Sequence, residues 1–585
     1  MEPEATAIPT LLLGPMLRHV EETGASIWVE TSRAGTVAVE TEAGIWTART
    51  FGVHGHHYAL VTLEGLPEGA ELEYRVSVDG HPVWPESAGF PPSVIRTHAT
   101  GTPLRMAFGS CRTSVPHDAA GNREHGVDAL RSYALHMAGS RDPQWPGLAV
   151  LLGDQVYADI TSDAMQEFIR SRRDINEPPG AELRDYEEYA HLYGLAWSDP
   201  AIRWLFSTLP TAMIFDDHDI RDDWNSSRSW RRQMEQTSWW HGRIVAGLGS
   251  YWVHQHLGNL SRAERAADPL WQRIAAHRGD GELDLSEDLD AFADRADQDP
   301  TTYRWSYCRD IDDVRLLVVD SRAARQLDPG SRSLLDDDEM TWVDERLHGG
   351  FRHLLIGTSL PYLLPKGLHH VESWDEAISE GAWGRTWSRI GETIRQAVDL
   401  EHWAAFQRSF RHMARLVTDT ADGKRGPAPE TITFLSGDVH FSYVAEVERH
   451  SGSRIIQAVC SPMRNPMPPA LRVFVSSMAY GPARLFGSLL ARSAGVPPPP
   501  FNWAKIRGPW FDNNLAVLED AGQGLRIGWS RGVVENDDGG APRLEQVAEI
   551  TVGPRNADGT TTRPSAMTRM RRRLDSLLRT LPRRR

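Results

Sequence analysis

The stretch TAMIFDDHDIRDDW (residues 211–224) decides the fold, because an apolar run ends in a dense cluster of charged side chains. Five carboxylates surround His218 within the eight positions from Asp216 to Asp223. Carboxylates at this density repel one another, and burying them requires a positive partner that Arg221 alone cannot provide. The pattern predicts a buried strand that delivers cation ligands, with His218 as a proton donor of raised pKa. The alternative is a solvated acidic loop that caps the following helix.

Three other segments repeat this arrangement: LRMAFGSC (residues 104–111), LAVLLGDQVYAD (148–159) and TITFLSGDVHFS (431–442). In an open α/β sheet, residues just past the carboxyl ends of the strands converge in one crevice. Each segment alone is ambiguous, since a capping Asp, a packed Tyr and a buried Cys are all common. Asp438 and His440 would point to one side if their stretch is extended. Together the four segments predict a polynuclear metal site.

The types of ligand indicate which metals would bind. A thiolate, a phenolate and an imidazole suit a transition metal, and a tyrosinate favours Fe(III). Carboxylate oxygens and water suit a hard ion such as Ca(II), Mn(II) or Mg(II). A mixed pair of this kind would polarise a phosphoryl oxygen and generate hydroxide at neutral pH, which predicts hydrolysis of a phosphate ester. The residues that offer these ligands are Cys111, Asp154, Tyr157, the carboxylates between Asp216 and Asp223, Asp438 and His440.

Composition limits the class of protein. A chain of 585 residues with 40% hydrophobic and 24% charged residues predicts a globular protein of two or more domains. Three cysteines make a disulfide framework implausible. The net charge of −16 argues against a protein that coats nucleic acid. No signal peptide or membrane span is visible, so we expect a cytoplasmic protein.

The chain divides into an all-β part and an α/β part. Residues 8–98 alternate apolar and polar positions between turn residues, which predicts an N-terminal β-sandwich. Within it, Pro67 and Tyr74 resemble the loop and tyrosine of fibronectin-like or immunoglobulin-like sandwiches. From residue 102 to residue 553, strands alternate with helices, which predicts a second domain with helix, sheet, sheet and helix layers. Residues 261–299 and 472–501 interrupt this domain as insertions, and residues 365–383 are loop-like.

The four segments resemble the PhoD-like (alkaline phosphatase D) family of calcineurin-like metallophosphoesterases. The motifs F-G-S-C, G-D-x-x-Y-x-D, D-D-H-D/E and S-G-D-x-H occur in this order, and the resemblance covers residues 104–551. The intervening segments VVDSRAAR (residues 318–325) and SLLDDDEMTWVDERL (333–347) also resemble the family. The resemblance implies an α/β fold, a four-layer αββα sandwich behind a fibronectin-like or immunoglobulin-like β-sandwich.

The resemblance also implies a role for each candidate residue. Cys111, Asp154, Tyr157 and His440 would hold Fe(III), and Asp154 would bridge to Ca(II), with Asp217 and Asp438 completing the calcium site. Asp154 and His218 would be the catalytic residues, with His218 assisting the leaving group or steadying the transition state. The implied reaction is attack of a metal-bound hydroxide on the phosphorus of a phosphate monoester or diester.

The sequence departs from the family pattern at three points. Thr358 and Ser359 stand where the wider superfamily has a metal-binding His, which we interpret as a feature of this branch. Asp222 and Asp223 occupy positions where relatives often carry Asn. No twin-arginine signal is visible, which leaves Mn(II) or Mg(II) as alternatives at the harder site.

The Arg-rich C-terminal tail, residues 560–585, forms a basic amphipathic pattern, which is compatible with peripheral contact with an anionic membrane. Docking on the acidic body and disorder are the alternatives. Two other hypotheses therefore stand beside a phosphate ester hydrolase: a catalytically silent phosphate-sensing or scaffolding protein on the same fold, and a membrane-attached binding module. Intact ligands in all four segments favour the enzyme.

Overall fold

A computed structural model describes residues 8–553, except for residues 87–88, 141–144, 398–399, 470, 474–475, 477–481, 523 and 535–540. The C-terminal tail that we predicted to contact membranes lies outside these residues. Within the described part of the chain, no helix is both long and apolar enough to cross a bilayer.

The N-terminal residues form the predicted β-sandwich. The strands pair in the orders β1-β2-β6-β5 and β4-β3-β8-β9, with β10 beside β7. Side chains from the facing strands share one core, which includes Ile27, Val39 and Val61, all fully buried. The strands are β1 (Leu11–Val20), β2 (Gly24–Thr31), β3 (Thr36–Thr41), β4 (Gly44–Arg49), β5 (Phe51–Val53), β6 (His56–Glu64), β7 (Glu71–Glu73), β8 (Arg75–Val78), β9 (His81–Trp84) and β10 (Val94–Arg96).

Two large sheets carry the second domain. The first has the order β13-β12-β11-β22-β23-β24, and the second has the order β15-β16-β17-β18-β20-β19-β21. The strands β11, β12 and β13 run parallel, as do β16, β17, β18 and β20. Their residue ranges are β11 (Arg105–Gly109), β12 (Leu148–Leu152), β13 (Thr211–Ile214), β14 (Leu283–Asp284), β15 (Tyr307–Ile311), β16 (Val314–Val319), β17 (His353–Thr358), β18 (Thr431–Ser436), β19 (Ser442–Val447), β20 (Arg454–Val459), β21 (Trp503–Trp510), β22 (Leu515–Asp520), β23 (Leu525–Val533) and β24 (Arg543–Val552).

Helices connect the parallel pairs, as expected for pairs that need crossover connections, except that strand β19 lies between β18 and β20. Together with the two sheets they form the predicted αββα arrangement, so the expected fold class is confirmed. The helices are α1 (Ala119–His125), α2 (Ala129–Gly139), α3 (Asp163–Arg172), α4 (Tyr186–Trp197), α5 (Pro200–Thr208), α6 (Arg228–Glu235), α7 (Trp240–Tyr251), α8 (Arg262–Ala267), α9 (Pro269–Ala276), α10 (Ser286–Gln298), α11 (Asp337–Arg346), α12 (Lys366–Ser379), α13 (Arg385–Ala397), α14 (Gln407–Ala421) and α15 (Pro482–Ser493), with a π-helical turn at Trp252–His256.

The two domains are joined by more than a linker. Strand β14, from the insertion in the second domain, pairs in parallel with β5 of the sandwich. The hydroxyl of Tyr74 donates to the carbonyl of Ser207 in α5 at 2.6 Å, so this residue contacts the second domain. Unlike the tyrosine that it resembles in sequence, it therefore connects domains instead of bonding only within the sandwich.

A histidine adds a charged contact between the domains. His56 in β6 lies 2.8 Å from Glu30 in β2 and 2.9 Å from Glu187 in α4. Burial lowers the pKa of His56, but the two carboxylates outweigh this effect and raise the pKa above its usual value. The protonated imidazole therefore stabilises the junction.

Residues 365–383 differ from the expectation of a loop, because most of them form helix α12. Its buried face carries Glu372, Asp375 and Glu376 as well as Ile378. Charged residues on the buried face hide the helical hydrophobic pattern, since sequence periodicity identifies a helix by its apolar stripe.

Candidate metal centre

The candidate metal centre lies where the two large sheets meet, at the carboxyl ends of β11, β12, β13 and β18. The loops after these strands bond to one another directly. The backbone N–H of Cys111 donates to the carbonyl of Gly153 at 3.2 Å, which joins the loops after β11 and β12. The backbone N–H of Asp438 donates to Ser110 Oγ at 3.2 Å, which joins the two sheets. Four segments distant in sequence therefore form one site.

The structure brings all six predicted metal ligands together. Three overlapping groups have ligand atoms within 4.8 Å of one another: Cys111, Asp154 and His440; Asp154, Asp217 and His218; and Asp216, Asp217 and Asp438. Asp154 and Asp217 each belong to two groups, and Asp154 is the one that joins Cys111 and His440 to the other carboxylates, as expected of a bridging carboxylate. The hydroxyl of Tyr157 lies 3.3 Å from Asp154 Oδ2, so the phenol also reaches the cluster.

Several of these residues have a left-handed backbone. The φ angles are 57° at Cys111, 50° at Asp154, 61° at Asp438 and 54° at His440. Non-glycine residues adopt this region at a cost, and they concentrate at functional sites. The stretch with Asp438 and His440 is therefore not extended. Our expectation that the two side chains point to one side assumed an extended stretch. The turn after β18 brings both side chains to the cluster instead.

The buried carboxylates lack enough positive charge. Asp154 Oδ1, Asp216 Oδ2 and Asp217 Oδ1 are buried and accept no hydrogen bond from the described residues. Burial, reinforced by neighbouring carboxylates, raises the pKa of Asp154 well above its usual value. Burial also raises the pKa of the Cys111 thiol and of the Tyr157 phenol. A bound cation would supply the missing charge and favour the ionised ligands, so these residues fit a metal centre.

His440 and Asp438 already have the protonation states that metal ligands need. Burial lowers the pKa of His440 to about 4, so the imidazole is neutral at pH 7. Burial opposes ionisation of Asp438, but hydrogen bonding to His402 and its charge lower the pKa of Asp438 to about 2. Neutral imidazole and ionised carboxylate are the forms that bind metals.

His218 lies beside the cluster on a carboxylate support. Its Nδ1 lies 2.9 Å from Asp159 Oδ2, and its ring packs against Tyr157 with the ring centroids 4.8 Å apart. Burial lowers the pKa of His218, but Asp159 and Asp217 outweigh this effect and raise it well above its usual value. Because Nδ1 contacts Asp159, Nε2 is the ring nitrogen available to a bound ligand.

The remaining carboxylates of residues 216–223 have different environments. Asp219 accepts backbone N–H groups from Asp154 and Asp216, each at 2.9 Å, and so fixes the two ligand loops. The side chain of Asp222 is exposed, and the backbone N–H of Asp222 donates to Asp159 at 2.6 Å. Asp223 is buried, and its backbone N–H donates to Asp217 at 3.2 Å. The solvated acidic loop that we considered therefore does not describe this segment.

Arg322 is the internal cation of the cluster. Its guanidinium lies 2.5 Å from Asp216 Oδ1, 3.1 Å from Asp217 Oδ1 and 2.5 Å from Glu401 Oε2, and its side chain is fully buried. Arg221, which we considered from the sequence, bonds instead to Glu182 at 2.9 Å. In the sequence, Arg322 was marked only by its position in the family-like segment VVDSRAAR, and this resemblance predicted no role for it.

A second pair that sequence reasoning missed supports Asp438. His402 Nε2 lies 2.8 Å from Asp438 Oδ2, and His402 Nδ1 lies 2.7 Å from Glu372 Oε1. Such carboxylate–histidine pairs orient metal ligands in many proteins. Glu372 lies in residues 365–383, which we expected to be loop-like. His402 follows no motif, and only the fold brings it to the site.

Comparison with known proteins agrees with this geometry. A family model described as PhoD-like phosphatase matches residues 131–469, and a model of a domain of unknown function (DUF7800) matches residues 8–95. A solved structure described as "Structure of PhoD" aligns with a TM-score of 0.56 at 13% identity, over 96% of this chain and 94% of that chain. At this identity the match shows the fold alone.

Two other comparisons add nothing to the assignment. The type III pullulan hydrolase from Thermococcus kodakarensis aligns over 59% of this chain and 54% of that chain at 9% identity, with a TM-score of only 0.13. No curated protein matches. The PhoD-like model, however, spans more than half of the chain and includes three of the four ligand loops. This chain belongs to the PhoD-like phosphatase family.

Proposed function

We propose that this protein is a metal-dependent hydrolase of phosphate monoesters or diesters. Family membership supports a phosphoesterase. The observation that carries the proposal further is the convergence of Cys111, Asp154, Tyr157, Asp217, Asp438 and His440. Asp154 Oδ1 is buried there without a hydrogen bond from the described residues, and four of the six residues have a left-handed backbone. A silent scaffold would not require this concentration of buried, unneutralised ligands.

The donor set divides into a soft and a hard half. Cys111, Tyr157 and His440 offer sulfur, phenolate and imidazole, which suit Fe(III), and Asp154 is shared with the hard half. Asp217 and Asp438 offer carboxylate oxygens, which suit Ca(II), with Mn(II) or Mg(II) as alternatives. When bound, the cations would polarise a phosphoryl oxygen and acidify a water molecule.

The residues around the cations position the substrate and move a proton. His218 Nε2 would donate a proton to the departing oxygen or hydrogen bond to the phosphoryl group, since Asp159 holds Nδ1. Glu372 and His402 fix the direction of Asp438. Arg322 holds Asp216 and Asp217 in place from the buried side of the cluster.

Two substitutions separate metal binding from catalysis. Asp154→Asn removes the shared carboxylate charge, so we expect loss of bound metal and of activity together. His218→Ala should retain the metal and lower kcat about 100-fold or more, because a proton donor is lost. The assays are elemental analysis of the purified protein and turnover of one aryl phosphomonoester and one diester. Asp337→Asn, an exposed carboxylate in α11, is the matched control.

The outcomes distinguish the alternatives. Bound metal without turnover of either ester would favour the phosphate-sensing or scaffolding hypothesis. Full activity of the Asp154→Asn variant would contradict the assignment of the centre. Manganese or magnesium in place of calcium would correct the metals and leave the reaction class unchanged.

A further inference from the structure

A long part of the chain close to the metal centre contains no acidic residue. Between Glu448 and Asp512 the sequence has eight Lys and Arg and neither Asp nor Glu. The whole protein has 79 Asp and Glu among 585 residues and a net charge of −16. This segment is therefore locally basic on an acidic protein, and it contains helix α15.

Helix α15 has its small residues buried and its large apolar residues exposed. Gly487 packs against α12 so closely that a Cβ there would lie 3.1 Å from the carbonyl oxygen of Gly367. Ala491, one turn later, is only 4% exposed. On the outer side, Leu485 is 70% exposed, Phe486 is 64% exposed and Leu489 is 65% exposed. Surface helices normally show the reverse arrangement, so the outer face is suited to contact with an apolar partner.

Helix α13 extends this surface. Trp387 is 43% exposed and Ile390 is 40% exposed. Trp383 connects the two helices, because its Nε1 donates to the carbonyl of Ser493 at the end of α15 at 3.1 Å, and its ring lies 5.2 Å from that of Trp387. We call the exposed residues Trp387, Ile390, Leu485, Phe486 and Leu489 the apolar cap.

Exposed arginines lie on the same two helices as the apolar cap. Arg385 and Arg389 are exposed on α13, and Arg492 is exposed on α15. Among the described residues of these two helices, the one acidic residue, Glu392, faces inward and accepts hydrogen bonds from Ser227 and Ser229. Exposed aromatic and aliphatic side chains bordered by arginines are typical of helices that lie in the interface of an anionic membrane.

The apolar cap is connected to the metal centre on two sides. Helix α12, on which α15 packs, carries Glu372, which reaches Asp438 through His402. The basic segment itself carries Asn465, whose side chain hydrogen bonds to Tyr157. The apolar cap therefore lies on helices that pack against the supports of the metal centre.

We propose that the apolar cap docks this protein on an anionic lipid surface, which goes beyond phosphate ester hydrolysis. The charge distribution indicates which of three partners would bind the apolar cap: a second copy of the chain, the C-terminal tail or a lipid surface. In a symmetric dimer through this face, each patch would meet its own copy and place arginines opposite arginines. The C-terminal tail has nine Arg and one Asp from residue 563 to residue 585, so the same arginines would repel it. Anionic lipid complements both the apolar and the basic side chains.

The test uses the full-length protein and vesicles of defined composition. Wild type should cosediment with vesicles of phosphatidylcholine and phosphatidylglycerol at least about tenfold more strongly than with phosphatidylcholine alone. The triple variant Leu485→Gln/Phe486→Gln/Leu489→Gln should lose about tenfold or more in the partition coefficient. The matched control is Ile45→Gln/Ile160→Gln, which replaces side chains that are 65% and 62% exposed outside the apolar cap; it should bind like wild type.

A second variant tests the electrostatic half of the proposal. Arg385→Gln/Arg389→Gln/Arg492→Gln should reduce the preference for anionic vesicles while retaining apolar contact. All variants should hydrolyse a soluble aryl phosphate at the wild-type rate, which separates this proposal from that of the reaction. Unchanged urea midpoints and circular dichroism spectra control for folding.

Three results would overturn the proposal. The first is failure of wild type to bind anionic vesicles. The second is wild-type binding by the correctly folded triple variant, which would assign the contact to another part of the chain such as the tail. The third is a wild-type dimer in solution that the triple variant dissociates, which would make a second copy the occupant.

Discussion

Replacing Arg322 by Leu removes the internal cation of the metal centre. The guanidinium is fully buried and lies within 3.1 Å of oxygens of Asp216, Asp217 and Glu401. Arg325, 3.3 Å from Glu401, can compensate only that carboxylate. The variant therefore removes the guanidinium from both Asp216 and Asp217, and leaves Asp217 with His218 as its neighbouring cation.

The size of the effect follows from these distances. At 3.1 Å and an effective dielectric constant near 20, one such ion pair interacts with about 5 kcal/mol. Dehydration of the ions offsets much of this attraction, and removing one partner of a buried pair costs about 3–5 kcal/mol in measured cases. We expect a loss of about 3–5 kcal/mol in the free energy of unfolding. The loss should be larger when a chelator is present, because the proposed cations would also neutralise Asp216 and Asp217.

Urea denaturation followed by tryptophan fluorescence measures this loss, with and without chelator. Because a chain of two domains need not unfold in one step, the transition that includes the second domain is the one compared. Arg273→Leu, which breaks a largely exposed ion pair with Asp288, is the matched control and should cost about 1 kcal/mol or less. A loss below about 1 kcal/mol for Arg322→Leu, equal with and without chelator, would refute the reasoning.

Three further predictions concern the surroundings of the centre and the domain junction. Glu372→Gln should weaken metal affinity or activity about 10- to 100-fold through His402, measured by metal titration, and an unchanged affinity and rate would contradict this role. His56→Gln should lower the urea midpoint at pH 6 but not at pH 9. The raised pKa of His56 makes its stabilisation fully present below the unfolded value of about 6.5, and this stabilisation disappears as the pH rises through the folded value. Tyr74→Phe should cost about 1 kcal/mol, because the buried carbonyl of Ser207 loses its donor, and a midpoint equal to wild type would show that solvent replaces it.

The strands and the fold class could be predicted from the sequence because the signal is local. The apolar runs before Asp154, Asp216 and Gly437 are strands in the structure, and each ends within two residues of its first polar ligand. Apolar runs of four to six residues followed by Gly or Asp are distinctive, and the rule that strand ends converge then places the ligands together.

The supporting residues could not be predicted, because their partners are set by tertiary structure. Arg322 and His402 act on residues more than 30 positions away, and no spacing links them. Helix α12 was missed because its inward face carries carboxylates. A pattern that counts apolar residues cannot distinguish a buried Glu with a His partner from an exposed one. The assignment of metal ligands therefore stays a prediction that elemental analysis must test.

The left-handed backbone at Cys111, Asp154, Asp438 and His440 has an evolutionary consequence. Each of these residues costs the fold about 1 kcal/mol or more relative to glycine, which adopts the same angles freely. Mutation to glycine at any of them would relieve backbone strain and would also remove a proposed metal ligand. Selection for stability and selection for activity therefore act in opposite directions at these four positions. A glycine variant there should be more stable to heat and should lack the proposed hydrolase activity.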